Sequence, residues 1–140
     1  MKKLIIFAIL SISVLAACKK DPPSPAENTT NKLIGKWNLN STGDAYPLGS
    51  PEVKTMYNNT SYDFKGNGVM ILILNGSQPM EYSWKMLDAT TLNYKDANGI
   101  IDNTFTVVSL TATDLTLSKS DFKNGSQGET RYYFAKVPAP

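Results

Sequence analysis

The stretch PMEYSWKMLDATTLNY, residues 79–94, decides the fold class of this chain. Between residues 80 and 86, large apolar side chains alternate with polar or charged ones. Because successive side chains of a strand point to opposite faces of a sheet, this period of two predicts a strand with one buried face. Leu92 and Tyr94 repeat the pattern after a short polar connection. The stretch therefore predicts two neighbouring antiparallel strands.

The same alternation recurs along the chain from residue 33 onward, and turn signals separate the runs. Asn-Gly pairs at 67–68, 75–76, 98–99 and 124–125 tolerate the positive φ angles that tight hairpins need. Two longer loops are expected, at 42–54 and 120–129. Such a row of antiparallel strands either closes into a barrel or pairs into two sheets, and closure removes exposed edges. The predicted strands are 35–41, 56–65, 68–74, 79–87, 91–95, 100–110, 114–119 and 129–137.

The stretch LIGKWNLNS, 33–41, places Gly35 two residues before Trp37. This Gly-x-Trp resembles the start of the first strand in lipocalins and fatty-acid-binding proteins. Together with YDFKGNG, YSWKMLDATTLNY and LTATDLTLS, it makes residues 33–137 resemble the small lipocalin-like lipoproteins of Gram-negative bacteria. The resemblance implies an all-β domain, an eight-stranded antiparallel up-and-down barrel in which Trp37 plugs the closed end.

The N-terminus has the features of a secretory signal. Residues 4–17, LIIFAILSISVLAA, carry no charge and follow two lysines, and they are shorter than the roughly 20 residues of a membrane-spanning helix. The run ends at Cys18, the one cysteine of the chain. Leu15-Ala16-Ala17-Cys18 resembles the lipobox of bacterial lipoproteins, which implies cleavage before Cys18 and attachment of fatty acyl chains, such as palmitate, to this residue.

The segment after the cysteine is expected to be a spacer. KKDPPSPAENTTNK, 19–32, holds three prolines and no large apolar residue, so it is predicted to be a disordered linker. The predicted organisation is a signal peptide at 1–17, a lipidated Cys and flexible linker at 18–32, and the barrel at 33–137. The resemblance implies a lipid-anchored protein of the cell envelope, at the outer membrane because Lys19 follows Cys18. Which side of that membrane it occupies stays open.

Composition excludes several kinds of chemistry. The chain has no histidine, so Ser–His and Cys–His nucleophilic pairs are impossible. Loss of Lys2 and Lys3 with the signal peptide lowers the 14 basic residues to 12, against 12 acidic ones, and this neutral balance gives no basic face for nucleic acid. The protein is therefore expected to be a non-enzyme without metal or cofactor.

Two functions remain open. In the first, the barrel binds a small apolar or amphipathic molecule inside; each residue of its predicted lining is also a plausible plain core residue. In the second, a barrel with a filled core binds or inhibits a protein through its loops or the 69–74 strand, whose two faces are both apolar unless a loop such as 42–54 covers the outer one. A cavity above roughly 300 Å³ would favour the first function. The predicted ligand-lining residues are Tyr62, Phe64, Tyr82, Trp84, Met86, Tyr94, Phe105 and Val107.

The last strand holds the one arginine of the chain. TRYY, 130–133, resembles the Thr-Arg-x-Tyr of fatty-acid-binding proteins, which implies that Arg131 holds a ligand carboxylate. Two other arrangements are possible. Arg131 could stack on Trp37, or the parity of the strand could be reversed, with Tyr132 and Phe134 inside and Arg131 in solvent.

Overall fold

The computed structural model describes residues 22–123 and 125–139. Within these residues one helix, α1 (Pro25–Leu33), precedes nine strands. The strands are β1 (Gly35–Ala45), β2 (Val53–Met56), β3 (Ser61–Phe64), β4 (Val69–Ile73), β5 (Met80–Met86), β6 (Thr91–Lys95), β7 (Asp102–Leu110), β8 (Asp114–Lys123) and β9 (Ser126–Lys136). No helix within these described residues is long and apolar enough to cross a membrane.

The strands form one closed antiparallel barrel. From β3 to β9 each strand pairs with the next along the chain, and β9 returns to pair with β1. Strands β2 and β3 lie along the same edge of β1, β2 beside Ser41–Asp44 and β3 beside Gly35–Asn38. They are therefore two pieces of one interrupted strand, and the barrel has eight strand positions. The predicted eight-stranded up-and-down barrel is confirmed.

The glycines of the four Asn-Gly pairs stand where the hairpins turn. Gly68, Gly76, Gly99 and Gly125 all have positive φ, between 69° and 81°, a region that glycine enters without steric cost. At the β4–β5 turn Asn75 also has a positive φ, 49°, as a tight hairpin requires at both central positions. The last of these turns corrects one prediction: β8 and β9 continue to residues 123 and 126, so the expected loop at 120–129 is a long hairpin.

The linker prediction is wrong for its second half, because residues 25–33 form α1. Ser24 caps the helix by accepting a hydrogen bond from the Glu27 backbone N–H at 3.1 Å, and Pro25 occupies the first helical position, where proline is favourable. A nine-residue helix is marginal alone. Contacts with the barrel hold it: Leu33 is fully buried, and the Thr29 hydroxyl donates to the Ala89 carbonyl at 2.9 Å.

Helix α1 closes one end of the barrel. We call this the closed end; it holds α1 and the β3–β4, β5–β6 and β7–β8 turns, and the opposite end is the open end. Trp37 is fully buried at the closed end, as predicted, and its indole N–H donates to the Leu33 carbonyl at 2.8 Å. One indole thus joins the helix to the first strand and fills the base of the core.

Candidate functional site

The predicted ligand-lining residues do come together inside the barrel. Met86 and Val107 are half-buried and pack against the same core. The others of the set are buried, with side chains at most 8% exposed: Tyr62, Phe64, Tyr82, Trp84, Tyr94 and Phe105. Sequence parity alone therefore placed this whole set correctly.

These side chains contact one another across the interior. Ring centroids of Tyr62 and Phe134 lie 5.0 Å apart, and those of Tyr94 and Phe105 lie 5.6 Å apart. Phe105 is in turn 5.3 Å from Tyr132 of the last strand. The interior of an eight-stranded barrel is about wide enough for side chains to fill. Here aromatic rings of adjacent and non-adjacent strands contact one another in the interior, so the predicted lining packs as a core.

Three tyrosine hydroxyls of this core have raised pKa values. Burial raises the pKa of the Tyr132 hydroxyl to about 12, helped by the nearby Tyr94, Asp121 and Asp44. Burial also raises the pKa of Tyr62 and of Tyr94. All three hydroxyls therefore stay protonated and neutral across the physiological range, and each carries a hydrogen that it can donate.

Arg131 does not contact Trp37 or the interior. Its parity is the reversed one: Phe134 is buried and Tyr132 half-buried, while the Arg131 Nε donates to Glu129 Oε1 at 3.1 Å on the outside. The stacking and inward-clamp hypotheses are therefore wrong. The cation over Trp37 is Lys136, whose Nζ lies 4.3 Å from the ring centroid.

The Arg131 ion pair belongs to a small polar group on the outer wall. Its guanidinium lowers the pKa of Glu129 through their hydrogen bond, and its Nη1 lies 3.9 Å from Glu52 Oε1. Tyr133 donates to the same Glu52 oxygen at 2.7 Å. These contacts fix the 46–52 loop against β9.

The strip 69–74 is less open than the protein-binding hypothesis required. The outward side chains Val69, Ile71 and Ile73 are half-buried, and Leu74 is 41% exposed. The expected cover, loop 42–54, lies elsewhere. Its first residues belong to β1, and the Leu48 backbone N–H donates to Gln127 of β9 at 2.8 Å.

A feature that sequence analysis missed lies where the second barrel strand is interrupted. Residues 57–60, Tyr-Asn-Asn-Thr, separate β2 from β3, and Asn59 has a φ of 54°, which breaks the extended backbone. Opposite the break, β1 has a register shift between Leu39 and Ser41. The backbone N–H of Tyr57 donates to the Asn40 carbonyl at 2.9 Å, so the interruption wraps around the bulge.

The β4–β5 turn buttresses this interruption. The Gly76 backbone N–H donates to the Asn59 carbonyl at 2.8 Å. The Asn75 backbone N–H donates to the Thr60 hydroxyl at 3.0 Å, and Thr60 is buried. The Asn75-Gly76 turn, which the sequence predicts, thus fixes the 57–60 connection, which the sequence does not predict.

Between these parts lies a cavity of about 460 Å³ on the outer wall, which we call the wall groove. Its amide side chains are exposed, and the hydrogen bonds that build the groove use backbone atoms of Asn40 and Asn59. The side-chain amides therefore face solvent. The wall groove is lined by Lys36, Asn38, Leu39, Asn40, Tyr57, Asn58, Asn59, Ser61, Ile73 and Gly76.

The described residues give no sign of a metal centre. Within residues 22–123 and 125–139, no three His, Cys, Asp or Glu side chains are grouped as metal ligands. Carboxylates near turns bind backbone or neighbouring polar groups: Asp96 accepts from the Ile101 N–H at 3.1 Å, and Asp102 from the Asn93 amide at 2.6 Å. Cys18 and the predicted signal peptide lie outside the described residues.

Comparison with known proteins gives a likeness among solved structures. No protein-family model matches the chain, and no curated protein does either. Among solved structures, the barrel is similar to a deswapped triple mutant of bovine odorant binding protein, with a TM-score of 0.44 and 19% sequence identity. The match covers 77% of this chain and 76% of the other.

Proposed function

We propose that this protein is a lipid-anchored, non-catalytic binding protein of the cell envelope that holds its ligand on the outer wall of the barrel. One observation carries the location of the site. Aromatic side chains of non-adjacent strands meet inside the barrel, whereas the wall groove offers about 460 Å³, within the roughly 300–1,000 Å³ range of small-molecule sites. This arrangement departs from the expectation of an interior ligand.

The anchor follows from the sequence. The lipobox resemblance at 15–18 puts acyl chains on Cys18, and two or more chains hold a protein firmly at a membrane. The helix that begins at Pro25 is packed on the closed end. Even fully extended, the residues between anchor and helix span about 25 Å. The closed end is therefore held near the membrane.

The absence of a catalytic role is part of the proposal. The chain has no histidine, and the polar groups of the wall groove are amides, hydroxyls and one lysine. Carboxamides neither titrate nor act as nucleophiles near neutral pH. Such a lining recognises a molecule without transforming it.

Native mass spectrometry of the full lipidated chain, purified in mild detergent from its own host, tests this function. We expect a bound small molecule on the wild-type chain and its loss from Asn38→Trp, because an indole at this exposed position would fill the wall groove. The matched control is Thr106→Trp, an exposed site in β7 outside the wall-groove lining, which should keep the bound molecule. A bound molecule that survives in Asn38→Trp would contradict an outer-wall site.

The anchor has a separate test. Cells that make Cys18→Ser should neither incorporate a labelled fatty acid into this protein nor carry it in their membrane fraction. If the variant is still labelled and still pellets with membranes, Cys18 is not the anchor.

A second function, binding a protein partner, is favoured by apolar side chains at the open end. Leu48, Val53 and Phe122 are 60%, 70% and 74% exposed. Exposed apolar residues gathered at one end of a soluble domain are typical of interaction sites. Replacing Leu48 and Phe122 by serine would abolish a partner complex seen by crosslinking in cells, while the small molecule bound by the wild-type chain stayed in place.

A further inference from the structure

We propose that the ligand of the wall groove is a neutral saccharide; this inference rests on the proposed function and names its ligand class. The wall groove combines three features that together favour such a ligand. They are a group of carboxamides, a balance of charge and an apolar patch beside the amides.

The carboxamides come from two elements that the interruption brings together. Asn38 and Asn40 belong to β1, and Asn58 and Asn59 belong to the 57–60 connection. Each side-chain amide offers two N–H donors and one carbonyl acceptor. A sugar hydroxyl both donates and accepts, so adjacent hydroxyls of one ring can bond to the two ends of one amide. Ser61 adds a hydroxyl to the same lining.

The charge of the wall groove argues against an ionic ligand. Lys36 is the one charged side chain of the described lining, and Asp63 lies directly opposite it in the β1–β3 register. Asp63 also forms an ion pair with Lys65 at 2.5 Å. An anion would therefore meet a carboxylate beside the lysine, and a cation would meet the lysine. An uncharged polar ligand avoids both costs.

The apolar part of the lining fits the C–H face of a sugar ring. Tyr57 and Ile73 are half-buried, and Tyr57 packs against the hydrophobic core, so each presents a fixed apolar surface. Small-molecule sites commonly join such a surface to a few placed polar groups. A fatty acid, by contrast, would leave the four carboxamides without partners.

The probes are maltotriose, cellotriose and tri-N-acetylchitotriose, added to the isotope-labelled chain 19–140 and followed by two-dimensional NMR. This chain contains every described core residue, from Leu33 to Phe134. We expect at least one saccharide to shift the backbone amide signals of Asn58, Asn59 and Gly76 saturably. Oleate serves as the apolar comparison and should leave these signals unchanged.

Variants assign the binding to individual amides. Asn59→Gly removes one side-chain amide and keeps the positive φ that the connection needs, and Asn38→Val removes another from a strand position. Each variant should raise the dissociation constant of the saccharide about three- to tenfold, the worth of about one hydrogen bond. Asn98→Ala, a matched change in the exposed β6–β7 turn, should have no effect.

The outcomes separate the two proposals. Saturable saccharide binding that weakens in Asn59→Gly and Asn38→Val supports the inference. Binding that neither variant changes would overturn it, since the site would lie elsewhere. If none of the three saccharides binds at millimolar concentration, while the molecule bound by the natural protein still disappears in Asn38→Trp, the saccharide class is wrong and the wall-groove function stands.

Discussion

The backbone conformation at Gly35 explains why the Gly-x-Trp stretch has a glycine at this position. Its φ is +121°, a region that L side chains rarely adopt, and a Cβ there would lie 3.0 Å from Lys136 Cε. That lysine is held in place, because its Nζ donates to the Ile34 carbonyl at 2.7 Å and lies over Trp37. The glycine lets the chain pass between α1 and β1 beneath this cation.

We therefore expect Gly35→Ala to lower the free energy of unfolding by about 1–3 kcal/mol, the usual cost of a strained backbone position. Gly66→Ala is the matched control, since its φ is not in the left-handed region and its Cβ would meet Ile34 Cδ1 at an ordinary 3.5 Å. Urea denaturation of both variants provides the measurement. Equal stability of the two would show that Gly35 is not constrained.

The buried tyrosines make stability depend on alkaline pH. Their pKa values are raised in the folded chain, that of Tyr132 to about 12, against about 10 in an unfolded one. A raised pKa means that the folded state holds its proton more tightly, so this stability is complete below pH 10 and is lost as the pH rises toward 12. Denaturation midpoints should fall across that range.

Phenolate absorbance gives an independent measurement of the same effect. Tyr62 and Tyr132 should ionise above the pH of about 10 at which a tyrosine of an unfolded chain ionises. Tyr132→Phe should remove part of the late-titrating absorbance without lowering stability at neutral pH by more than about 1.5 kcal/mol, the worth of a hydroxyl hydrogen bond. Simultaneous ionisation of all the tyrosines near pH 10 in the folded chain would contradict the burial described here.

Parity in β9 shows why single-residue predictions succeeded in some strands and failed in another. Met80 to Met86 carry a clear alternation, so their inward side was readable. In β9, Tyr132 and Tyr133 are equally suited to either face, and one step of register exchanges the faces. The bulge at Asn40, which resets the pairing of β1 with β9, has no clear signal in the sequence.

At the scale of elements, α1 is the part whose effect on the fold is easiest to isolate. Leu33 is fully buried beneath the barrel base, while the adjacent Ile34 is 37% exposed. We expect Leu33→Ala to cost about 2–5 kcal/mol, as for other buried leucines. Ile34→Ala should cost less, because the Ile34 side chain is only partly buried and less apolar area is lost. Thermal or urea unfolding of the pair measures both. A Leu33→Ala variant as stable as Ile34→Ala would mean that α1 does not close the barrel.

Both α1 and the 57–60 interruption have sequence signals that were not used in the predictions. Three prolines made 19–32 resemble a linker, yet Ser24-Pro25 with Glu27 is also a helix start. Asn58-Asn59 lay within a predicted strand, although asparagine is unfavourable in strands and tolerates positive φ. Interpreting Asn58-Asn59 as a break in the strand would have located the interruption. The cavity beside it depends on the bulge in β1, which lies on another element and so could not be foreseen.

For the whole molecule, closure of the barrel and filling of its interior by side chains are separate properties. Hairpin signals and alternation predict a closed barrel, because each strand has one apolar face and its neighbours are local in the chain. Whether the interior keeps a cavity depends on how side chains of non-adjacent strands meet, as Tyr62 and Phe134 do at 5.0 Å. That contact joins β3 to β9, which are distant in sequence, so parity predicted which residues lie inside but not how closely their side chains meet.

The central claim is that the interior is packed and that ligands bind on the wall. Two-dimensional NMR of the chain 19–140 tests it through the indole N–H signals of Trp37 and Trp84, which donate to the carbonyls of Leu33 and Lys65 at 2.8 and 3.1 Å. Oleate is added below the concentration at which it forms micelles. We predict that both indole signals stay unchanged throughout the titration. A saturable shift of the Trp84 indole signal at one oleate per chain would place a ligand inside the barrel and contradict the claim.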